Sequence, residues 1–155
     1  MTNEFNANDI FDIAIKIEQN GAIFYRDAAK LFEKEEHKQF LLELAKMEDF
    51  HETTFANMQK DLKEEEAFST TFDPKNENAL YLKALADTRV FFEKEHPGNS
   101  FQDILAAAIQ AEKDSIAFYL GMKEMVPAKL GQSKINDIIK EEMSHIRLLA
   151  EKLME

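Results

Sequence analysis

No cysteine occurs among the 155 residues, which removes disulfides, iron–sulfur clusters and thiol chemistry from consideration. Proline and glycine are scarce, at 3 and 4 residues, so little interrupts long helices. Tryptophan is missing as well, and phenylalanine, with 13 residues, supplies most of the aromatic core. Positive charge is in short supply. The formal net charge of -11 argues against a nucleic-acid partner, whose phosphates call for a basic face. It argues equally against attachment to an anionic membrane surface. No apolar run reaches the roughly 18 residues of a membrane span. Met1-Thr2-Asn3-Glu4-Phe5 lacks both the basic and the apolar part of a secretory signal. The expectation is one cytoplasmic domain over residues 1–155, long enough to bury a continuous core.

What the chain does hold is a repeat. Lys46-Met47-Glu48-Asp49-Phe50-His51 returns ninety-four residues later as Lys140-Glu141-Glu142-Met143-Ser144-His145, with Glu48 on Glu142 and His51 on His145. The same offset carries Glu18 onto Glu112, Asp9 onto Asp103, Ala14 onto Ala108, Phe24 onto Phe118 and Tyr25 onto Tyr119. Two similar helical hairpins are therefore expected, each supplying one lone Glu and one Glu-x-x-His.

The helices can be placed from their apolar spacing and their stop signals. Ile10, Phe11, Ala14, Ile17, Gly21, Phe24, Ala28 and Leu31 recur at intervals of three and four, with Asn6 or Asn8 as N-cap. This stripe fades in Glu33-Lys34-Glu35-Glu36. A second helix is predicted from about His37 to Lys63, with Phe40, Leu41, Leu44, Met47, His51, Phe55, Met58 and Leu62 facing inward. Asp73-Pro74 breaks the connector, which holds a shorter helix from Ala79 to Glu95 that His96-Pro97-Gly98-Asn99 stops. Ser100 with Asp103 resembles a capping box at the head of a helix running from Phe101 to about Met125. Val126-Pro127 ends it, and Lys134 to Met154 forms the last. The predicted fold is all-α: a four-helix bundle of two hairpins, about 8–63 and 101–154, joined by a crossover over about 64–100 that contains the short helix.

Height along the bundle links the motifs. Glu18 and Glu48 are equidistant from the first turn, and Glu112 and Glu142 are equidistant from Pro127. In an antiparallel hairpin such positions lie level, so each lone Glu sits beside its own Glu-x-x-His. Packing the hairpins face to face brings six groups to one layer. Glu and His three apart project from one helix face, and a carboxylate can bridge two metals while an imidazole binds one. Oxygen and imidazole donors suit iron or manganese, whereas softer metals prefer thiolate. Four carboxylates carry four negative charges, which two divalent cations neutralise; bare and buried, each costs several kcal/mol or takes up a proton.

Glu is common here, so one Glu-x-x-His alone is a weak signal. Glu93 with His96 serves as a control: it abuts Pro97 and has no partner at the repeat offset, so it is read as solvated or capping. His37, in a charged turn, is read as a surface residue. Tyr25 and Tyr119 lie seven residues beyond the lone glutamates, on nearly the same face. Their hydroxyls are candidates to bond a ligand carboxylate, with plain core aromatics as the alternative. Gly21 and Ser115, one turn after Glu18 and Glu112, are small enough to leave space for a ligand.

Taken in order, Glu18, Glu48-x-x-His51, Glu112 and Glu142-x-x-His145 resemble the rubrerythrin branch of the ferritin-like di-iron carboxylate superfamily, over nearly the whole chain. The segments Ile17 to Tyr25 and Ala111 to Tyr119 look particularly like the small single-domain members. The resemblance implies two iron ions, or manganese or another divalent metal, held by Glu18, Glu48, His51, Glu112, Glu142 and His145. It also implies activity toward hydrogen peroxide or dioxygen. Typical rubrerythrins have a further Glu three residues after the third-helix ligand, where this chain has Ser115. They also carry a rubredoxin-like iron centre on four cysteines; here electrons are expected from a separate, rubredoxin-like donor, and a homodimer, with hairpins exchanged or not, is the expected assembly. The competing expectations are ferritin-like oxidation of ferrous iron and a helical bundle that acts through partners without catalysis. The absence of a fifth helix after Met154 leans away from the ferritin reading.

Overall fold

The computed structural model describes residues 6–62, 77–88, 98–126 and 131–155. Five helices stand among them: α1 (Ala7–Ala29), α2 (Glu35–Lys60), α3 (Glu77–Thr88), α4 (Phe101–Met125) and α5 (Gln132–Leu153). No strand occurs among the described residues, and no described helix is long and apolar enough to cross a membrane.

Local chemistry sets the helix starts. Asn6, rather than Asn8, caps α1: its Oδ1 accepts from the Asp9 amide at 3.0 Å, and Asp9 Oδ2 accepts from the Asn6 amide at 3.1 Å. Ser100 Oγ accepts from the Asp103 amide at 3.0 Å to open α4. Gly131 precedes α5 at φ 109°, a left-handed conformation that glycine adopts without a Cβ penalty. α2 begins two residues earlier than the spacing predicts and ends at Lys60, and α3 begins at Glu77 rather than Ala79. The predicted continuation of α3, with Glu93 and His96, falls outside the described residues.

Two apolar clusters form the interior. One gathers Ile10, Phe11, Ile17, Phe55, Met58, Phe118, Met122, Ile135 and Ile139. The other gathers Phe24, Ala28, Leu41, Leu44, Phe101, Ile104, Ala108 and Leu149. Each therefore draws on all four long helices, at opposite ends of the bundle. Their membership also fixes direction. The start of α1 and the end of α2 lie at the end where α4 finishes and α5 begins, so α1 and α4 run antiparallel. The crossover must carry the chain back along the bundle, from Met58 in one cluster to Phe101 in the other.

α3 rides on this return and packs on α4. Leu82 is fully buried, and the Tyr81 hydroxyl donates to Ala117 O at 3.0 Å. Gly121 makes the close approach possible: a Cβ there would lie 2.8 Å from Leu82 Cδ2 and 3.0 Å from the Tyr81 ring. Two predicted core residues are exposed instead. Leu31 lies beyond the end of α1, and Met47 is turned outward because Glu48, the next residue, takes the inward position. Each residue step rotates a side chain by about 100° around the helix.

Candidate metal centre

Between the two apolar clusters lies a layer of charge. Glu18 of α1, Glu48 and His51 of α2, Glu112 of α4, and Glu142 and His145 of α5 are all at most 1% exposed. They form two overlapping sets. Glu18, Glu48, His51 and Glu142 offer four ligand atoms within 4.8 Å of one another, and so do Glu48, Glu112, Glu142 and His145. Glu48 and Glu142 belong to both. All six side chains come from one chain, and beside them the tyrosine hydroxyls of Tyr25 and Tyr119 and the hydroxyl of Ser115 are buried.

The contacts repeat with the sequence. His51 Nδ1 lies 2.8 Å from Glu142 Oε1 and 3.6 Å from Glu18 Oε2. Its counterpart His145 Nδ1 lies 3.3 Å from Glu48 Oε1 and 3.6 Å from Glu112 Oε1. The Tyr25 hydroxyl donates to Glu112 Oε1 at 2.7 Å, and the Tyr119 hydroxyl donates to Glu18 Oε1 at 2.6 Å. Each of these contacts is answered by its counterpart at the repeat offset, so the inner layer has an approximate two-fold axis. Both imidazoles turn Nδ1 inward.

One contact breaks this symmetry. His51 Nε2, on the outward side of the ring, is paired with Glu141, a half-exposed acid of α5. The residue at the matching place in the first hairpin is Met47. His145 Nε2 has no hydrogen-bond partner among the described residues.

Burial and mutual repulsion govern the protonation of this layer. Burial, then the charge of Glu142, raises Glu18, and burial with Glu142 and Glu18 raises Glu48 well above the ordinary carboxyl range. Tyr25 and Tyr119 are raised well above their usual value by burial and then by the surrounding carboxylates. Burial acts to lower His51, but its hydrogen bonds to Glu142 and Glu18 outweigh that and lift it to about 11. Glu142 shows the converse balance: burial would raise it, yet the two imidazoles together hold it down to about 2. Protons, in effect, stand where positive charge is needed.

A pair of divalent cations fits this arrangement by a direct observation. Glu18 Oε2, Glu48 Oε1, Glu112 Oε2, Glu142 Oε2 and both ring nitrogens of His145 are buried without a hydrogen-bond partner among the described residues. A buried acceptor left bare in this way costs about 1–3 kcal/mol, more when charged. Oxygen and imidazole donors in this proportion suit a hard or borderline cation.

The structure thus brings together all six residues singled out from the repeat, and it sets both tyrosine hydroxyls on carboxylates of the layer. It differs over His37, which is half-buried and stacks on the Phe101 ring at 3.7 Å rather than standing in solvent. Ser115 Oγ donates to Ala111 O at 2.9 Å, so its hydroxyl is engaged with its own helix. Glu141 went unassigned in the sequence. The available signal was an acid in one copy of the repeat where the other has methionine.

Among solved structures, the chain is similar to a 2.30 Å crystal structure from Thermotoga maritima, provisionally described as a ferritin-like diiron-carboxylate protein. The two share 27% identity with a TM-score of 0.76, over 100% of this chain and 99% of that one. No protein-family model and no curated protein matches the sequence. The fold is therefore that of a ferritin-like helical bundle, with a candidate site for two metal ions at its centre.

Proposed function

We propose that the chain is a di-iron oxidoreductase of rubrerythrin type, which reduces hydrogen peroxide with electrons from a separate, rubredoxin-like donor protein. The observation that carries this reading is the sharing of Glu48 and Glu142 between two four-residue ligand sets. Such sharing would set two cations side by side, each able to give one electron to a two-electron reduction. The likeness to a protein described as ferritin-like and diiron supports iron as the metal.

In this reading Glu18 and His51 would hold one ion, Glu112 and His145 would hold the other, and Glu48 and Glu142 would serve both. When bound, the reduced iron pair supplies the two electrons that, with two protons, convert peroxide to two waters. The protein does the rest. Tyr25 and Tyr119 fix the carboxylates of Glu112 and Glu18 through their hydroxyls. Phe55, packed on the Tyr119 ring at 5.1 Å, and Phe118 keep bulk water from one side of the layer, and Phe24 against Tyr25 at 5.4 Å does so from the other. A dry layer strengthens each charge interaction within it.

The test is to load the protein with ferrous iron, exclude oxygen and mix with hydrogen peroxide in a stopped-flow instrument. Oxidation much faster than that of free ferrous iron, at one peroxide per two irons, is expected. Oxidation at the rate of free iron would overturn the proposal. The homodimer expected from the sequence is kept as part of it, and light scattering reads it directly: a large multi-subunit shell would favour iron handling.

A further inference from the structure

The broken symmetry at Glu141 makes the two halves of the centre unequal. We infer that Glu141 is a positioning residue that orients His51 toward the layer, so that a divalent cation enters the Glu18/His51 half before the Glu112/His145 half. The inference rests on the reading of the layer as a two-metal centre, and it concerns the chain's own asymmetry rather than the reaction.

Four observations carry it. His51 has a hydrogen-bonding carboxylate on its outer nitrogen, and the ring is thereby held with Nδ1 turned inward to Glu142 and Glu18. A carboxylate on the far nitrogen of a ligating imidazole fixes its tautomer and raises its basicity, and losing it typically weakens metal binding 10–100-fold. His145 has the same inward geometry but no partner for Nε2 among the described residues. The repeat puts Met47 where the second carboxylate would be, and a thioether is at best a weak acceptor. Everything else in the layer is duplicated: the shared glutamates, the terminal glutamates and the crossed tyrosines all have counterparts. Ser115, opposite Gly21 in the repeat, is bonded to its own helix, which leaves Glu141 as the unduplicated group that bonds a histidine of the layer.

Its location also suits this role. Glu141 is half-exposed and lines a surface cleft of about 300 Å³ between α2 and α5, with Phe50, Thr54 and Asn57 on one wall and Lys134, Asp137 and Ile138 on the other. Its carboxylate, which lines that cleft, is also the one paired with His51 Nε2. Because one face of Glu141 is already wet, replacing it removes the hydrogen bond without opening a void in the apolar clusters.

The test uses the metal-free full-length protein with 15N-labelled histidine, titrated with zinc ion and followed by the ring-nitrogen resonances. In the parent, the His51 ring is expected to reach its bound position at one equivalent of zinc, and the His145 ring at two. In E141A the two rings are expected to shift together, with the first step weakened 10–100-fold by calorimetry. E141Q keeps an acceptor for the ring N–H and is expected to recover part of the order. Parent rings that shift together, His145 filling first, or an unaltered order in E141A would each overturn the inference. Zinc that leaves both rings unmoved would overturn the two-metal reading along with it. Ordered filling without peroxide activity would sink only the proposed reaction.

Discussion

Tyr119 donates its hydroxyl hydrogen to Glu18 at 2.6 Å across a sequence separation of 101 residues, and Tyr25 returns the same bond to Glu112 at 2.7 Å. The crossing has a geometric cause. Side chains on a helix lean toward its N-terminus. Glu18 leans away from Tyr25 on its own helix, while Glu112, on the antiparallel α4, leans toward it. The hairpins are thus clasped by two equivalent bonds that no single hairpin can make.

Removing either hydroxyl strands a buried carboxylate oxygen. Tyr25→Phe and Tyr119→Phe are each expected to lower the stability of the metal-free protein by about 1–3 kcal/mol, to nearly the same extent, because their surroundings match. Urea denaturation with a chelator present checks this. Unequal losses of more than about twofold would count against the two-fold symmetry of the layer.

Glu48 and Glu142 are each shared by both ligand sets, so loss of one should be felt at both positions. Glu48→Ala is expected to reduce bound manganese from two ions to one or none while the helical circular dichroism is retained. In the parent, manganese at a hundredfold excess over its dissociation constant should add about 2.7 kcal/mol of stability for each ion bound. For a chain of this size that corresponds to a rise in melting temperature of roughly 5–10 °C per ion. The Ala variant should lose most of that rise. A full manganese shift in Glu48→Ala would place the cations elsewhere.

The metal-free protein should be most stable in mild acid. Glu142 is held below its ordinary value of 4.5, so its contribution is present above 4.5 and is lost as the pH falls toward about 2. His51 is raised from 6.5, so its contribution is complete below 6.5 and is lost as the pH rises to about 11. Glu18 and Glu48 are raised from 4.5; above that value the folded form holds protons that the unfolded form has released, and stability again falls with pH. The three effects place the maximum near pH 5. Between pH 5 and 9 the decline should exceed about 1.4 kcal/mol, the worth of one pKa unit. Metal affinity should move the opposite way, because binding displaces these protons. Chelator-treated protein denatured at pH 5, 7 and 9 supplies the measurement, and a stability that rises over that range would contradict it.

Gly121 is a purely structural test. Alanine there gains up to about 1 kcal/mol of helix propensity, but its Cβ would press on Leu82, which is fully buried, and on the Tyr81 ring. Overpacking of this kind typically costs about 1–3 kcal/mol. Gly121→Ala is expected to be destabilising overall, with two manganese ions still bound. A stabilised variant would mean that α3 yields readily.

The layer was legible in the sequence because its chemistry demands it twice. Glu18 and Glu48 stand level across one turn, Glu112 and Glu142 across the other, and spacing within a hairpin is enough to see both. Glu141 was not legible, since its role depends on how α2 and α5 approach each other, which no spacing along one helix encodes. Met47 shows the same gap from the other side. Its apolar character fits the inward stripe, but the inward position one step on belongs to Glu48, whose carboxylate is buried in the charged layer. His37 follows from packing too: a ring in a charged turn meets Phe101 only when the second hairpin arrives.

The charged layer also partitions the interior. Ile10, Phe55 and Met122 lie on one side, and Ala28, Leu41 and Ile104 on the other, so the hydrophobic interior is two separate blocks threaded by the same four rods. Neither block can come apart without the helices that also build the other. Cations at the seam would therefore brace both blocks at once.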